Sequence, residues 1–150
     1  MRLPVQDILE KKGVSYRIIE LEERAISVAD VIEYSKEDIN PDEICKTILV
    51  KQKQQYYALF LRGADKIDFK KLKAVIGKSS IASKIEVLEI TGVEPGAVCP
   101  LLVDVPVLVD ERVMLLERLN FGSGNHLYGI EIASGDLGKV LGFKLVDVTE

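Results

Sequence analysis

A single lysine stands at the start of an apolar run that predicts a β-strand. Lys46 lies between Cys45 and Thr47 in the segment CKTILVKQ, residues 45–52. A lysine at the rim of a pocket can hold a phosphate or stabilise a developing oxyanion. A lysine at a strand end also commonly reaches into water, because charged side chains are mostly exposed. The position of Lys46 is compatible with both interpretations.

Two glycine-containing loops could bring backbone N–H groups close to a ligand. The first, GVEPGAVCP at residues 92–100, contains a tight Pro95-Gly96 bend and the spacing G-x-x-x-P from Gly96 to Pro100. Such a turn can direct N–H groups at a carbonyl oxygen, as an oxyanion hole does. The second, FGSGNHLYG at residues 121–129, also permits close approach to the backbone. Either loop could instead be an ordinary connection.

The cysteines and the histidine do not form a recognisable catalytic or metal-binding set. Cys45 and Cys99 are the two cysteines of the chain, and His126 is its one histidine. A zinc site or a disulfide framework needs more ligands at closer spacing. A nucleophilic Cys99 would need a base, and His126 has no evident orienting carboxylate, so we expect an inert buried thiol and no catalytic role for His126.

Lysines are concentrated in one stretch of an otherwise acidic chain. The net charge is −4, which argues weakly against a protein that simply coats nucleic acid. Residues 66–84 nevertheless contain six lysines and a single acidic residue: Lys66, Lys70, Lys71, Lys73, Lys78, Lys84 and Asp68. Such a run is usually a solvated helix face, but it is also what a tRNA or another phosphate-bearing partner would require.

The length and composition predict one soluble domain. The chain has 150 residues, of which 47% are hydrophobic, so a single core over residues 1–150 is expected. We find no apolar run of 18 uncharged residues and no signal-peptide pattern at the amino terminus. These observations predict a cytoplasmic protein that is not associated with a membrane.

Strand patterns and short helix patterns alternate along the chain. Capping residues and apolar spacing predict helices within residues 3–13, 27–34, 68–77, 83–92 and 134–141. Strands are predicted at 16–21, 45–52, 55–62, 105–110, 128–133 and 143–148, with a further apolar run at 113–119. The second and third strands should form a hairpin. This order favours a single α/β or α+β domain and is too irregular for a Rossmann fold.

Taken in order, several motifs resemble those of the YbaK/ProX family of aminoacyl-tRNA deacylases, which includes the editing domain of bacterial prolyl-tRNA synthetases. They are CKTILV, KIDFKKLKAVIG, TGVEPGAVCP and FGSGNHLYGIEIASGDLGKVLG. The resemblance extends from the amino-terminal helix to the last strand. It implies a curved mixed sheet flanked by short helices, with a pocket that hydrolyses the ester between tRNA and a wrong amino acid.

The resemblance also assigns roles to residues of this chain. Lys46 takes the place of the family's catalytic-site lysine, and Gly96 contributes to catalysis from the substrate loop, where many relatives carry serine at the position of Cys99. The substrate-binding residues implied are Thr47, Ala97, Val98, Cys99, Pro100, Gly122, Gly124 and Asn125. The lysine-rich helix supplies the candidate tRNA contacts Lys70, Lys71 and Lys73.

We therefore expect a freestanding enzyme that acts in trans on mischarged tRNA without a metal or cofactor. The small residues of the loop favour a small acyl group, alanine or cysteine, and the family resemblance favours tRNA for proline. Two alternatives stay open: a non-catalytic module that binds an aminoacyl or nucleotide group, and an accessory domain that works only beside an aminoacyl-tRNA synthetase.

Overall fold

The computed structural model describes residues 2–150 and contains five α-helices and eight strands within them. The helices are α1 (Pro4–Lys11), α2 (Val28–Tyr34), α3 (Phe69–Ile76), α4 (Lys84–Thr91) and α5 (Leu137–Val140). The strands are β1 (Tyr16–Glu20), β2 (Cys45–Gln52), β3 (Gln55–Arg62), β4 (Ser80–Ile81), β5 (Val107–Asp110), β6 (Arg118–Gly122), β7 (Tyr128–Ala133) and β8 (Lys144–Val146). The predicted mixed α/β class is confirmed.

The strands form two sheets rather than one continuous curved sheet. The larger sheet has the order β4-β2-β3-β5-β8, in which β3, β5 and β8 run parallel and the β2 pairings are antiparallel. The smaller sheet, β1-β7-β6, is antiparallel. A parallel β-bridge between Ile44 and Asn120 connects the two sheets just before β2 begins.

The helix starts follow from side-chain caps that the sequence predicts. Ser27 accepts a hydrogen bond from the Asp30 N–H, and Ser83 accepts one from the Glu86 N–H, in two capping boxes. Asp68 accepts hydrogen bonds from the first turn of α3. These contacts satisfy N–H groups that have no partner within the helix.

Several boundaries differ from the sequence expectation for local reasons. The apolar run at 113–119 is divided between a 3-10 helix at Glu111–Leu115 and the start of β6. The buried Asp110 begins that 3-10 helix, because its carboxylate accepts a hydrogen bond from the Arg112 N–H. Strand β5 therefore ends at Asp110. The predicted helix at 134–141 is likewise a 3-10 turn followed by α5. Strand β4 has no counterpart among the predicted strands, because a two-residue strand is too short to show periodicity.

The hydrophobic core lies on both faces of the larger sheet. Successive residues of β3 point to opposite faces, so Phe60 joins the largest buried cluster while Leu59 and Leu61 join a second cluster that includes Leu72 of α3. The Phe60 ring meets Phe121 of β6 edge-to-face, with 5.7 Å between ring centroids. This aromatic contact packs the two sheets against each other.

Among residues 2–150, no helix has the length and apolar composition needed to cross a bilayer.

Candidate functional site

A cavity of about 550 Å³ lies where the two sheets meet. Its walls come from the first half of β2, the end of β6, the start of β7 and the beginning of α2. Further lining residues come from the loop at 25–27, from Pro95, Gly96 and Val98, and from the turn at 125–126. A volume of this size is typical of sites for small ligands.

Lys46 lines the cavity from β2, where it is half-buried. Its Nζ donates a hydrogen bond to the Gly63 carbonyl oxygen at 3.0 Å. This contact holds the side chain against the end of β3, which Gly63 directly follows. Burial lowers the pKa of Lys46 below its ordinary value, and the nearby Asp65 carboxylate partly opposes that effect. The site therefore contains a partly desolvated cation.

The Gly96 loop lies against the backbone at Ile26. Gly96 has φ +95°, and a Cβ atom there would lie 2.3 Å from the Ile26 carbonyl oxygen. Gly96 and Val98 both line the cavity, and neither N–H donates to a backbone carbonyl within residues 2–150. The loop is held instead through Ala97, whose carbonyl accepts the Gly124 N–H at 2.8 Å. This close packing can occur only with glycine at position 96.

The sequence-derived site residues divide into two groups. Those that line the cavity are Lys46, Thr47, Gly96, Val98, Gly122 and Asn125. Those that do not are Ala97, Cys99, Pro100 and Gly124; Ala97, Cys99 and Pro100 are buried, and Cys99 and Gly124 border a separate cavity of about 30 Å³. The loop thus presents alternate residues to the main cavity and anchors the others in the protein interior.

Neither thiol has the environment of a nucleophile. Cys99 is 2% exposed, and burial raises its pKa to about 12. Cys45 lines the cavity at the start of β2, and burial raises its pKa to about 12 as well. Both side chains therefore rest as neutral thiols near neutral pH.

Two polar residues that sequence reasoning does not select also line the cavity. His126 has no catalytic role in the sequence-based prediction, yet its Nδ1 lies 2.8 Å from the Ala25 carbonyl oxygen and its Nε2 is buried without a hydrogen-bond partner. Asn120, 3% exposed in β6, has a buried Nδ2 that likewise lacks a partner. The available signals are an asparagine between the apolar residues Leu119 and Phe121 and a histidine beside Asn125.

The three candidate tRNA-contacting lysines lie on α3, outside the cavity lining. Lys70 and Lys73 are exposed. Lys71 is tied to the carboxy-terminal segment, because its Nζ bonds to Asp147 at 3.1 Å and to the Thr149 carbonyl oxygen at 2.8 Å. These contacts give Lys71 a structural role that the other two lysines do not share.

Within residues 2–150, no group of three or more His, Cys, Asp or Glu side chains is placed to hold a metal ion.

Comparison with known proteins identifies a family match over most of the chain. The model of the aminoacyl-tRNA editing domain family matches residues 23–140. A proline–tRNA ligase of Staphylococcus aureus (strain Newman) is 30% identical over 97 residues, which are 61% of this chain and 17% of that enzyme. The chain thus spans less than a fifth of the length of this curated relative.

Two crystal structures are similar over almost the whole chain. One is a hypothetical protein, with a TM-score of 0.84, 24% identity and coverage of 97% of this chain and 99% of that one. The other is a candidate trans-editing enzyme for prolyl tRNA synthetase, with a TM-score of 0.80, 21% identity and coverage of 97% and 94%. At these identities the likeness establishes the fold alone.

Proposed function

Because the chain belongs to the aminoacyl-tRNA editing domain family, we propose that it is a trans-acting deacylase that hydrolyses the ester bond of mischarged tRNA. The cavity at the junction of the two sheets is the proposed site of hydrolysis. A supporting relation is the 30% identity to part of a proline–tRNA ligase, which favours tRNA for proline as the carrier of the wrong amino acid.

The observation that carries the proposal is the pairing of Lys46 with the Gly96 loop around one cavity. An aminoacyl ester is already activated, so its hydrolysis requires chiefly a positioned water and stabilisation of the oxyanion. The N–H groups of Gly96 and Val98 have no backbone acceptor within residues 2–150 and are the candidates to bind that oxyanion. Lys46 supplies positive charge to the polyanionic substrate or to the developing negative charge.

The proposed reaction proceeds by addition of water to the ester carbonyl. A bond forms between the water oxygen and the carbonyl carbon, and the carbonyl electron pair moves onto oxygen to give the oxyanion. When the carbonyl re-forms, the bond to the ribose oxygen breaks and that oxygen takes the proton released by water. The products are the free amino acid and deacylated tRNA, with no metal, cofactor or protein nucleophile involved.

The lining favours a small acyl group, and we propose alanine or cysteine. Val98, Leu49 and Ala82 contribute apolar surface to the cavity, and the Gly122 and Gly96 backbones approach it closely. Transfer of a methyl or thiol side chain into such surroundings is favourable.

The test is a panel of tRNAs charged with correct and incorrect amino acids, assayed with wild-type protein and with Lys46→Ala. We expect Lys46→Ala to reduce the rate constant by about 100- to 1,000-fold, as is typical for loss of one electrostatic group at a reacting centre. Lys144→Ala is the matched control, because Lys144 is exposed on β8 and does not line the cavity. Wild-type rates in a folded Lys46→Ala protein would exclude Lys46 from the mechanism.

The same panel distinguishes the two alternatives. A protein that binds an aminoacyl-adenosine analogue but hydrolyses none of the esters would be a binding module. A protein that hydrolyses an ester only when a synthetase is added, and that co-purifies with this synthetase, would be an accessory domain. Hydrolysis by the isolated chain supports the trans-acting enzyme.

A further inference from the structure

Gly63 connects the end of the β2–β3 hairpin to Lys46. It directly follows β3 and lines the cavity. Its N–H donates a hydrogen bond to the Ile44 carbonyl oxygen at 2.7 Å, and its own carbonyl oxygen accepts one from Lys46 Nζ at 3.0 Å. Because Ile44 immediately precedes β2, the acceptor that Lys46 uses is anchored to the same strand that carries Lys46.

Position 63 requires glycine because of space and not because of backbone conformation. Gly63 has no positive φ, so a side chain there would bring none of the strain of the left-handed region. A Cβ atom would, however, lie 2.9 Å from the Ile44 carbonyl oxygen and 3.0 and 3.1 Å from the two methyl groups of Val28 in α2. These distances are shorter than ordinary contact, so a side chain would displace the Gly63 backbone or its neighbours by a few tenths of an ångström.

The Gly63 carbonyl orients Lys46 without neutralising it. A lysine ammonium group has three N–H donors, of which this carbonyl uses one. The other two can then reach a phosphate or an oxyanion in the cavity. Asp65, two residues after Gly63, accepts hydrogen bonds from Arg62 at 2.7 and 3.2 Å through its two oxygens. Arg62 therefore occupies the carboxylate on this side of the site, and Lys46 contacts a neutral group.

We propose that Gly63 is a positioning residue whose carbonyl oxygen holds the Lys46 ammonium group in the orientation that catalysis uses. This inference rests on the proposed function, in which Lys46 supplies charge to the substrate or to the developing oxyanion. A lysine side chain is long and flexible, so an acceptor that orients it in advance reduces the entropy lost when substrate binds. Gly63 acts through Lys46, and its lack of a side chain lets α2 and Ile44 pack directly against it.

An NMR measurement on wild-type protein tests the contact without requiring catalysis. The order parameter of each lysine ammonium group, from ¹⁵N relaxation, is compared between Lys46 and Lys144, which is exposed on β8. We expect a higher order parameter for Lys46, because its ammonium group is held by the Gly63 carbonyl. Equal order parameters for the two lysines would overturn the proposal.

Gly63→Ala tests the positioning role, and Gly142→Ala is its matched control. Gly142 is exposed and has no positive φ, and a Cβ there would meet nothing within 4 Å. Gly63→Ala should lower the order parameter of Lys46 towards that of Lys144 and reduce the single-turnover rate constant by about tenfold or more. Gly142→Ala should change neither. Thermal unfolding shows whether each variant is folded; if Gly63→Ala does not fold, the wild-type NMR comparison still decides.

The double variant with Lys46→Ala shows whether Gly63 acts through Lys46. In the Lys46→Ala background, Gly63→Ala should change the rate constant by less than about twofold, because the group that it positions is absent. Similar losses in both backgrounds would overturn the proposal, as would a wild-type order parameter and rate in folded Gly63→Ala. If wild-type protein hydrolyses no ester, the proposed function fails, and the NMR comparison still decides whether Gly63 holds Lys46.

Discussion

Replacing Gly96 with alanine should reduce the catalytic rate as well as stability. The added Cβ would lie 2.3 Å from the Ile26 carbonyl oxygen and 2.9 Å from its Cα, and these backbone atoms cannot rotate away as a side chain can. Ordinary contact begins near 3.4 Å, so the two segments must separate by about 1 Å. Because Gly96 and Val98 line the cavity, this movement displaces the proposed oxyanion donors. A displacement of this size can reduce a catalytic rate by about 100-fold.

Gly92→Ala is the matched control for backbone strain. Gly92 ends α4 with φ +77°, and a Cβ there would meet nothing within 4 Å. Its substitution should cost about 1 kcal/mol of unfolding free energy, from the left-handed conformation alone, and leave the rate unchanged. Gly96→Ala carries the same kind of strain together with the backbone collision.

The assay combines single-turnover deacylation with urea unfolding for both variants. The expected result is a near-normal rate in Gly92→Ala and a loss of about 100-fold in folded Gly96→Ala. A folded Gly96→Ala protein with the wild-type rate would refute the assignment of this loop to oxyanion binding. Equal rate losses in the two variants would attribute the effect to general strain.

The remaining predictions concern the thiol, the lysines and metal ions. Cys99→Ser should stay active and native Cys99 should resist alkylation at pH 8, because burial raises its pKa to about 12; loss of turnover with substrate-protected alkylation would contradict this. Replacing Lys70 and Lys73 with glutamine should reduce the slope of log affinity for tRNA against log salt by about one for each lysine–phosphate pair removed, whereas an unchanged slope would mark a solvated helix face. Lys71→Gln, tested alone, should also lower the unfolding free energy because of its bonds to the carboxy-terminal segment. Activity should survive treatment of the enzyme with EDTA before dilution into the assay, and inactivation that added metal reverses would overturn the metal-free mechanism.

Local rules predict most elements of the fold. The hairpin of β2 and β3 and the caps Ser27, Asp68 and Ser83 can be read from the sequence because each depends on residues close together in the chain. The division into two sheets cannot be read in this way. The smaller sheet depends on the pairing of β1 with β7, which joins Tyr16 to Ile132, and the Ile44–Asn120 bridge then connects it to the larger sheet. Such long-range pairings leave no local pattern.

The site residues that can be predicted from the sequence are those whose residue type alone indicates a chemical role. Lys46 and Gly96 stand out as a cation in an apolar strand and as a glycine in a turn, and both line the cavity. The sequence does not reveal how His126 is held, because its ring contacts the carbonyl oxygen of Ala25, which lies about a hundred residues earlier in the chain. Membership of the substrate loop also does not reveal that Cys99 packs into the interior while Val98 lines the cavity.

The pairing of β1 with β7 has a consequence for shortening the chain. Residues 23–140 contain β7 but not β1, so a fragment with those limits would expose the N–H and C=O groups that β7 now pairs with Tyr16–Glu20. Ile130 and Ile132, both fully buried in the intact chain, lie on that strand. An unpaired apolar edge of this kind invites pairing with a second copy. β1 therefore replaces the apolar strand β7 at the edge of the smaller sheet and reduces the tendency to edge-to-edge self-association.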